Sequence, residues 1–82
     1  MVRVIVIYDI TDDTQRTKLS NELFKIGLSR IQKSAFSGDI DSQRFKDLTR
    51  ICQDFIKSSN DVIHVVTLGI RDWERRIVLR GE

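Results

Sequence analysis

Proline is absent from the 82 residues, cysteine, histidine, tryptophan and tyrosine occur once each, and glycine occurs four times. One cysteine forbids an internal disulfide and supplies no cysteine-based zinc cage, so redox and structural zinc chemistry fall away. No run approaches the roughly 18 apolar residues of a membrane span. Neither a P-loop nor a G-x-G-x-x-G stretch is present, which leaves nucleotide cradling unsupported. A Gly-aromatic-Gly run of the kind that marks RNA-recognition domains is missing as well. The net charge is only +2, from 14 basic and 12 acidic side chains, and the apolar residues come in well-spaced runs, which argues against disorder. The basic excess lies in the C-terminal half, where Arg71, Arg75, Arg76 and Arg80 cluster. Such a balance permits a nucleic-acid partner without demanding one.

The length allows one domain, residues 1–82. A chain this short buries about 60% of the surface that its unfolded form exposes, so a symmetric partner would help a thin core, and a homodimer is expected. The opening Met1-Val2-Arg3-Val4-Ile5-Val6-Ile7-Tyr8-Asp9 lacks a small-residue cleavage site and runs into a polar turn. It reads as the first strand of a cytoplasmic protein, not as a signal peptide.

Val2–Tyr8 is apolar on both faces, as suits a central strand. Asp12 with Gln15 three residues on has the form of a helix cap, and Leu19, Leu23 and Ile26 recur at helical spacing up to Gly27. The first helix is therefore expected over Asp13–Ile26. Residues 28–40 alternate with period two and make either two short strands joined near Ser34 or one bent strand. Asp41 and Ser42 are candidate caps for a second helix, with Phe45, Leu48, Cys52, Phe55 and Ile56 as its apolar stripe. Val62–Ile70 is rich in β-branched residues and reads as a strand. A charged turn, Arg71-Asp72-Trp73-Glu74, then leads to a short final strand over Arg75–Arg80. Two right-handed crossovers on one face of an antiparallel sheet give a ferredoxin-like βαββαβ sandwich of the α+β class. The extra C-terminal strand has no slot inside one chain, and the edge of a second subunit would give it one.

Asp9 closes the first strand, where sheets tend to present functional groups. It either caps the strand-to-helix turn or carries chemistry. One carboxylate holds a divalent ion poorly, because magnesium takes about six oxygen ligands. If the first strands of two subunits face each other, two Asp9 carboxylates can flank one ion, with water completing the shell. Arg16 is placed either to neutralise Asp9 or to grip a phosphate. Lys18 reads as a solvated helix charge. Arg30 and Lys33 stand on the extended segment with Phe36 just beyond, a pattern that either contacts a nucleic-acid backbone and stacks a base or simply places Phe36 in the core. The terminal arginines form either a charged edge or a phosphate-binding rim. His64 reads as a packed or surface histidine, and Cys52 as a small core residue.

Tyr8-Asp9-Ile10 closing the first strand, Thr11-Asp12-Asp13 followed by Arg16, the helix end at Leu23 to Gly27, and Arg30-Ile31-Gln32-Lys33-Ser34-Ala35-Phe36 together resemble the second CRISPR-associated protein family. The likeness spans nearly the whole chain and includes the terminal Arg75–Leu79 segment. It implies a ferredoxin-like homodimer in which Asp9 faces its symmetry mate and binds magnesium or manganese. It also implies a metal-dependent endonuclease acting on RNA or DNA in spacer acquisition and antiviral defence, with an integrase subunit as partner. The alternative is a non-catalytic DNA-binding scaffold of the integration complex. Carried over by position, Tyr8, Asp9, Arg16 and Arg30 are the catalytic candidates, Asp9 is the metal ligand, and Lys18, Lys33, Ser34, Phe36, Arg75 and Arg76 are the nucleic-acid candidates. Lys18 stands where some relatives have arginine; it keeps the charge and loses the bidentate fork.

Overall fold

The computed structural model describes residues 1–81. Strand β1 (Val2–Asp9) is followed by helix α1 (Asp13–Lys25), the strands β2 (Ser29–Gln32) and β3 (Ala35–Ile40), helix α2 (Ser42–Asp54), strand β4 (Val62–Leu68) and a short helix α3 (Ile70–Glu74). The sheet order is β2-β3-β1-β4, and every neighbouring pair is antiparallel. This is the expected ferredoxin-like arrangement, with β1 central.

Local chemistry sets the helix limits. The Asp12 carboxylate accepts a hydrogen bond from the Gln15 amide at 2.8 Å and caps α1, a contact of the kind worth about 1 kcal/mol. Its C-terminus closes in a Schellman turn: the Gly27 amide donates to the Phe24 carbonyl and the Leu28 amide to the Leu23 carbonyl, both at 3.1 Å. Gly27 has φ +104°, a conformation that side chains rarely tolerate. Asp41 caps α2 through the Arg44 amide at 2.8 Å. Of the two expectations for residues 28–40, two strands form. They are joined by a turn at Lys33 and Ser34, with an irregularity between Arg30 and Gln32.

Both long helices bury their stripes against one face of the sheet. Val4, Val6 and Tyr8 of β1 meet Leu19 and Leu23 of α1 and Leu48 and Cys52 of α2 in one core. Leu19, Leu23 and Leu48 are fully buried, each contributing about 1.5–3 kcal/mol by the area it removes from water. The other face of β1 presents Arg3, Ile5, Ile7 and Asp9. That face has no long helix over it, so β1 is densely covered on one side only.

The chain after β4 departs from expectation. The strand ends at Leu68 instead of Ile70, because Gly69 leaves the ladder and starts α3 in place of the charged turn. Arg75–Arg80 form no strand within the chain. A strand needs a free edge alongside it, and α3 sends these residues over the sheet face instead. Ile77, Val78, Leu79 and Arg80 line a groove of about 680 Å³ there with Ile5, Ile31 and Trp73.

Candidate active site

Asp9 is the last residue of β1, opposite Val62 in the β1–β4 ladder. It is exposed and points to the face not covered by α1 and α2. Alternation sends Tyr8 the other way: it is 4% exposed, with its ring stacked near Phe36 at a centroid distance of 6.3 Å. The Tyr8 phenol is thus turned away from the Asp9 carboxylate. Its main chain still serves the site, because the Tyr8 amide donates to the Ser34 carbonyl at 3.0 Å and draws the Lys33-Ser34 turn against the end of β1. Lys33 in that turn is exposed.

Arg16 neither neutralises Asp9 nor presents an open phosphate clamp. Its Nη1 donates to the Ile10 carbonyl at 3.1 Å and its Nη2 is paired with the Asp13 carboxylate. Two short local contacts outcompete a reach back to the strand end, and Arg16 splints the turn that follows Asp9. Arg30 lies opposite Phe36 on the helix side of the sheet, away from the face that carries Asp9. Its guanidinium stands 4.9 Å from the Phe36 ring centre, and Nη1 donates to the Lys33 carbonyl at 2.5 Å. Phe36 is fully buried and packs edge-on against Phe24, with centroids 4.9 Å apart. It cannot stack a base, and of the two expectations for it the core one holds.

The remaining basic candidates are dispersed. Lys18 is on the helix layer, in a groove shared with Gln15, Glu22, Arg50, Asp54 and Lys57, on the opposite side of the sheet from Asp9. Arg76 covers the Trp73 ring at 3.8 Å, and Arg3 approaches that ring at 4.2 Å. Arg3 and Asp9 stand six residues apart on β1, roughly 20 Å at the rise of a strand. Arg75, one residue from Arg76, is exposed in the same region. One chain therefore carries a basic patch at one end of β1 and a carboxylate at the other.

Two features escape a reading of the sequence. Asp61, just before β4, accepts four hydrogen bonds: from the Thr11 amide and hydroxyl, both at 2.9 Å, and from the Lys57 and Ser58 amides, both at 3.0 Å. These donors, the Thr11 amide foremost and the Lys57 amide next, hold its carboxyl far below the usual carboxylate range. Thr11 and Asp61 lie fifty residues apart in the chain, so no spacing rule links them. The second is the apolar character of the uncovered face. Ile7, Val62 and Val66 there are each 40% exposed or more. His64, opposite Ile7 and next but one to the Asp9–Val62 pair, shares that face. The β-branched run of β4 is legible in sequence, but which of its sides lacks a cover is not.

A carboxylate is a hard oxygen donor and suits magnesium or manganese. Among the described residues no three histidine, cysteine, aspartate or glutamate side chains group as a metal site. Asp9 fits such an ion as part of a site that other oxygens must complete. No helix among the described residues is long and apolar enough to cross a membrane.

The family described as CRISPR associated protein Cas2 matches residues 1–76. A relative from Korarchaeum cryptofilum, a CRISPR-associated endoribonuclease Cas2, is 41% identical over 71 residues, covering 87% of this chain and 76% of its own. A CRISPR-associated endonuclease Cas1/endonuclease Cas2 fusion from Thermoproteus tenax is 37% identical over 68 residues, 83% of this chain and 26% of the fusion. Among solved structures, Streptococcus pyogenes Cas2 superposes with a TM-score of 0.80 at 24% identity, covering 96% of this chain and 99% of that one, a likeness of fold.

Proposed function

Since the chain belongs to the CRISPR-associated Cas2 family, we propose that it is a metal-dependent endonuclease of the CRISPR system that works as a homodimer on RNA or DNA. The observation that carries this reading is the exposed Asp9 at the end of the central strand, on the apolar face that α1 and α2 leave uncovered. Apposing two such faces removes Ile7, Val62 and Val66 from water and brings a second Asp9 into range, which a single chain lacks.

In this reading the two Asp9 carboxylates hold magnesium or manganese, which when bound supplies an activated water and steadies the departing oxygen of a phosphodiester. The Tyr8 amide and the Arg16 splint fix the strand end that bears Asp9. Lys33 and Ser34, drawn beside that end, offer a charge and a hydroxyl to the nucleic-acid backbone. Arg75 and Arg76 form a separate phosphate-binding rim, and Lys18 offers a charge on the helix layer. A CRISPR integrase subunit of the Cas1 kind is the proposed protein partner, by analogy with the fused relative, and the cytoplasm is the proposed location. The second reading, a non-catalytic scaffold that holds DNA for integration, is favoured by the small catalytic set, since Arg16 and Arg30 are engaged elsewhere.

Cleavage decides between the two. Purified wild type is expected to hydrolyse RNA or duplex DNA only with magnesium or manganese, and Asp9→Asn to lower the rate at least a hundredfold while remaining a folded dimer. Turnover no higher than a chelator control, with salt-sensitive duplex binding intact, would establish the scaffold instead.

A further inference from the structure

Asp61 bridges two loops at the end of the sheet where Asp9 sits. One carboxylate oxygen takes both Thr11 donors and the other takes the Lys57 and Ser58 amides. Thr11 is the second residue after Asp9, and the residue after Asp61 is Val62, the ladder partner of Asp9. The clamp therefore closes the β1–β4 ladder immediately beyond the candidate ligand. Three further contacts converge on the same stretch: the Tyr8 amide on Ser34, Arg16 on the Ile10 carbonyl, and the Asp12 cap of α1. Of these, only the Asp61 clamp ties the turn to β4.

We propose that Asp61 is a positioning residue for Asp9, setting the direction in which that carboxylate leaves the strand and so its alignment with the Asp9 of a second copy. This rests on the reading that Asp9 binds a divalent cation. The chemistry demands a carboxylate at position 61. Each oxygen faces two donors, so an asparagine in either orientation turns its own NH2 group toward donors and leaves them unpaired. Ligand geometry tolerates little error, because a carboxylate moved by about 1 Å no longer shares an ion with its mate.

The test is titration of the dimer with manganese, followed by the paramagnetic resonance of the free ion, for wild type and for Asp61→Asn, Thr11→Val, Thr11→Ser, Asp9→Asn and Asp41→Ala. Asp41→Ala removes the α2 cap on another turn and lowers stability without touching the clamp. Asp61→Asn is expected to weaken manganese binding at least tenfold with the dimer intact. Thr11→Val should weaken it about threefold, while Thr11→Ser, which keeps both donors, should restore wild-type affinity. Asp41→Ala should lower the melting temperature and leave affinity alone. Should Asp61→Asn fail to fold, the Thr11 pair carries the decision by itself. Wild-type affinity in Asp61→Asn and Thr11→Val, or an equal loss in Asp41→Ala, overturns the positioning role while the metal reading stands if Asp9→Asn abolishes binding. Manganese binding unaffected by Asp9→Asn overturns both.

Discussion

Arg3 lies 4.2 Å from the centre of the Trp73 ring and is also paired with Asp39 at 3.1 Å. Arg76 meets the same ring at 3.8 Å and donates to the Trp73 carbonyl at 2.9 Å. The root of the C-terminal segment is thereby fixed to the first strand. Exposed cation–π contacts contribute about 0.5–1 kcal/mol each. A double-mutant cycle of Arg3→Ala and Trp73→Leu, followed by urea unfolding at one protomer concentration, should give a coupling of that size. Additive losses would show that the stacking stabilises nothing.

The same contact explains why one element escaped the sequence. Helices α1 and α2 were legible to within a residue at each end, or two at the last turn of α2, because their signals are local: Asp12 with Gln15, Asp41 before Ser42, Gly27 at the stop. The apolar run of β1 and the β-branched run of β4 were equally plain. Helix α3 has no apolar period, and its Trp73 is anchored by Arg3, seventy residues away. The site divides in the same way. Asp9 at a strand end is visible in sequence, whereas the capture of Arg16 by Asp13, the Thr11–Asp61 clamp and the burial of Phe36 depend on which groups the fold brings together.

Acid should weaken the fold partly through Asp61. Its carboxyl titrates well below the usual range when folded and near 3.9 when unfolded, so the unfolded chain takes up the proton first. Its stabilisation is complete above about pH 5 and fades as pH falls below 4. Melting temperatures measured from pH 6 to pH 2.5 should drop more steeply for wild type than for Asp61→Asn. Parallel curves would mean that the four hydrogen bonds do not favour the charged form.

Glycine is required at two positions for different reasons. A Cβ at Gly38 would lie 2.8 Å from Leu28 Cδ2 and 3.2 Å from the Gly27 carbonyl oxygen, so β3 runs directly beneath the Schellman turn. Gly38→Ala should cost about 1–3 kcal/mol through overpacking. Gly27→Ala has room, with its nearest neighbour at 3.5 Å, and should cost about 1 kcal/mol through its left-handed backbone alone. Denaturant midpoints check both, and Leu28→Ala should relieve part of the Gly38→Ala loss but none of the Gly27→Ala loss.

Cys52 reports on global opening. It is 5% exposed, against the core, and burial pushes its thiol up to about 11. At pH 8 the thiolate fraction is then about one thousandth, and access is blocked as well. Alkylation should proceed at the unfolding-limited rate and accelerate in urea in step with loss of helix signal. Rapid modification in native buffer would place Cys52 on a locally opening segment. Above pH 9 the unfolded thiol ionises before the folded one, so stability should decline between pH 9 and 11, and Cys52→Ala should lack that decline.

The uncovered sheet face makes the sharpest distinction between a chain that is complete alone and one that is not. Val66 lies opposite Ile5 on that face and is 40% exposed. Glutamate there meets water in a single chain, so the fold should lose no more than about 0.5 kcal/mol. In a face-to-face dimer the same carboxylate would be buried without a partner charge, at a cost of several kcal/mol. Val66→Glu should therefore sediment as a folded monomer at concentrations where wild type is a dimer. Manganese binding should vanish with association although Asp9 is untouched, while Gln53→Glu, exposed on α2, should change neither. A dimer that survives Val66→Glu would move the interface off this face, and the two Asp9 carboxylates would then have no common ion to hold.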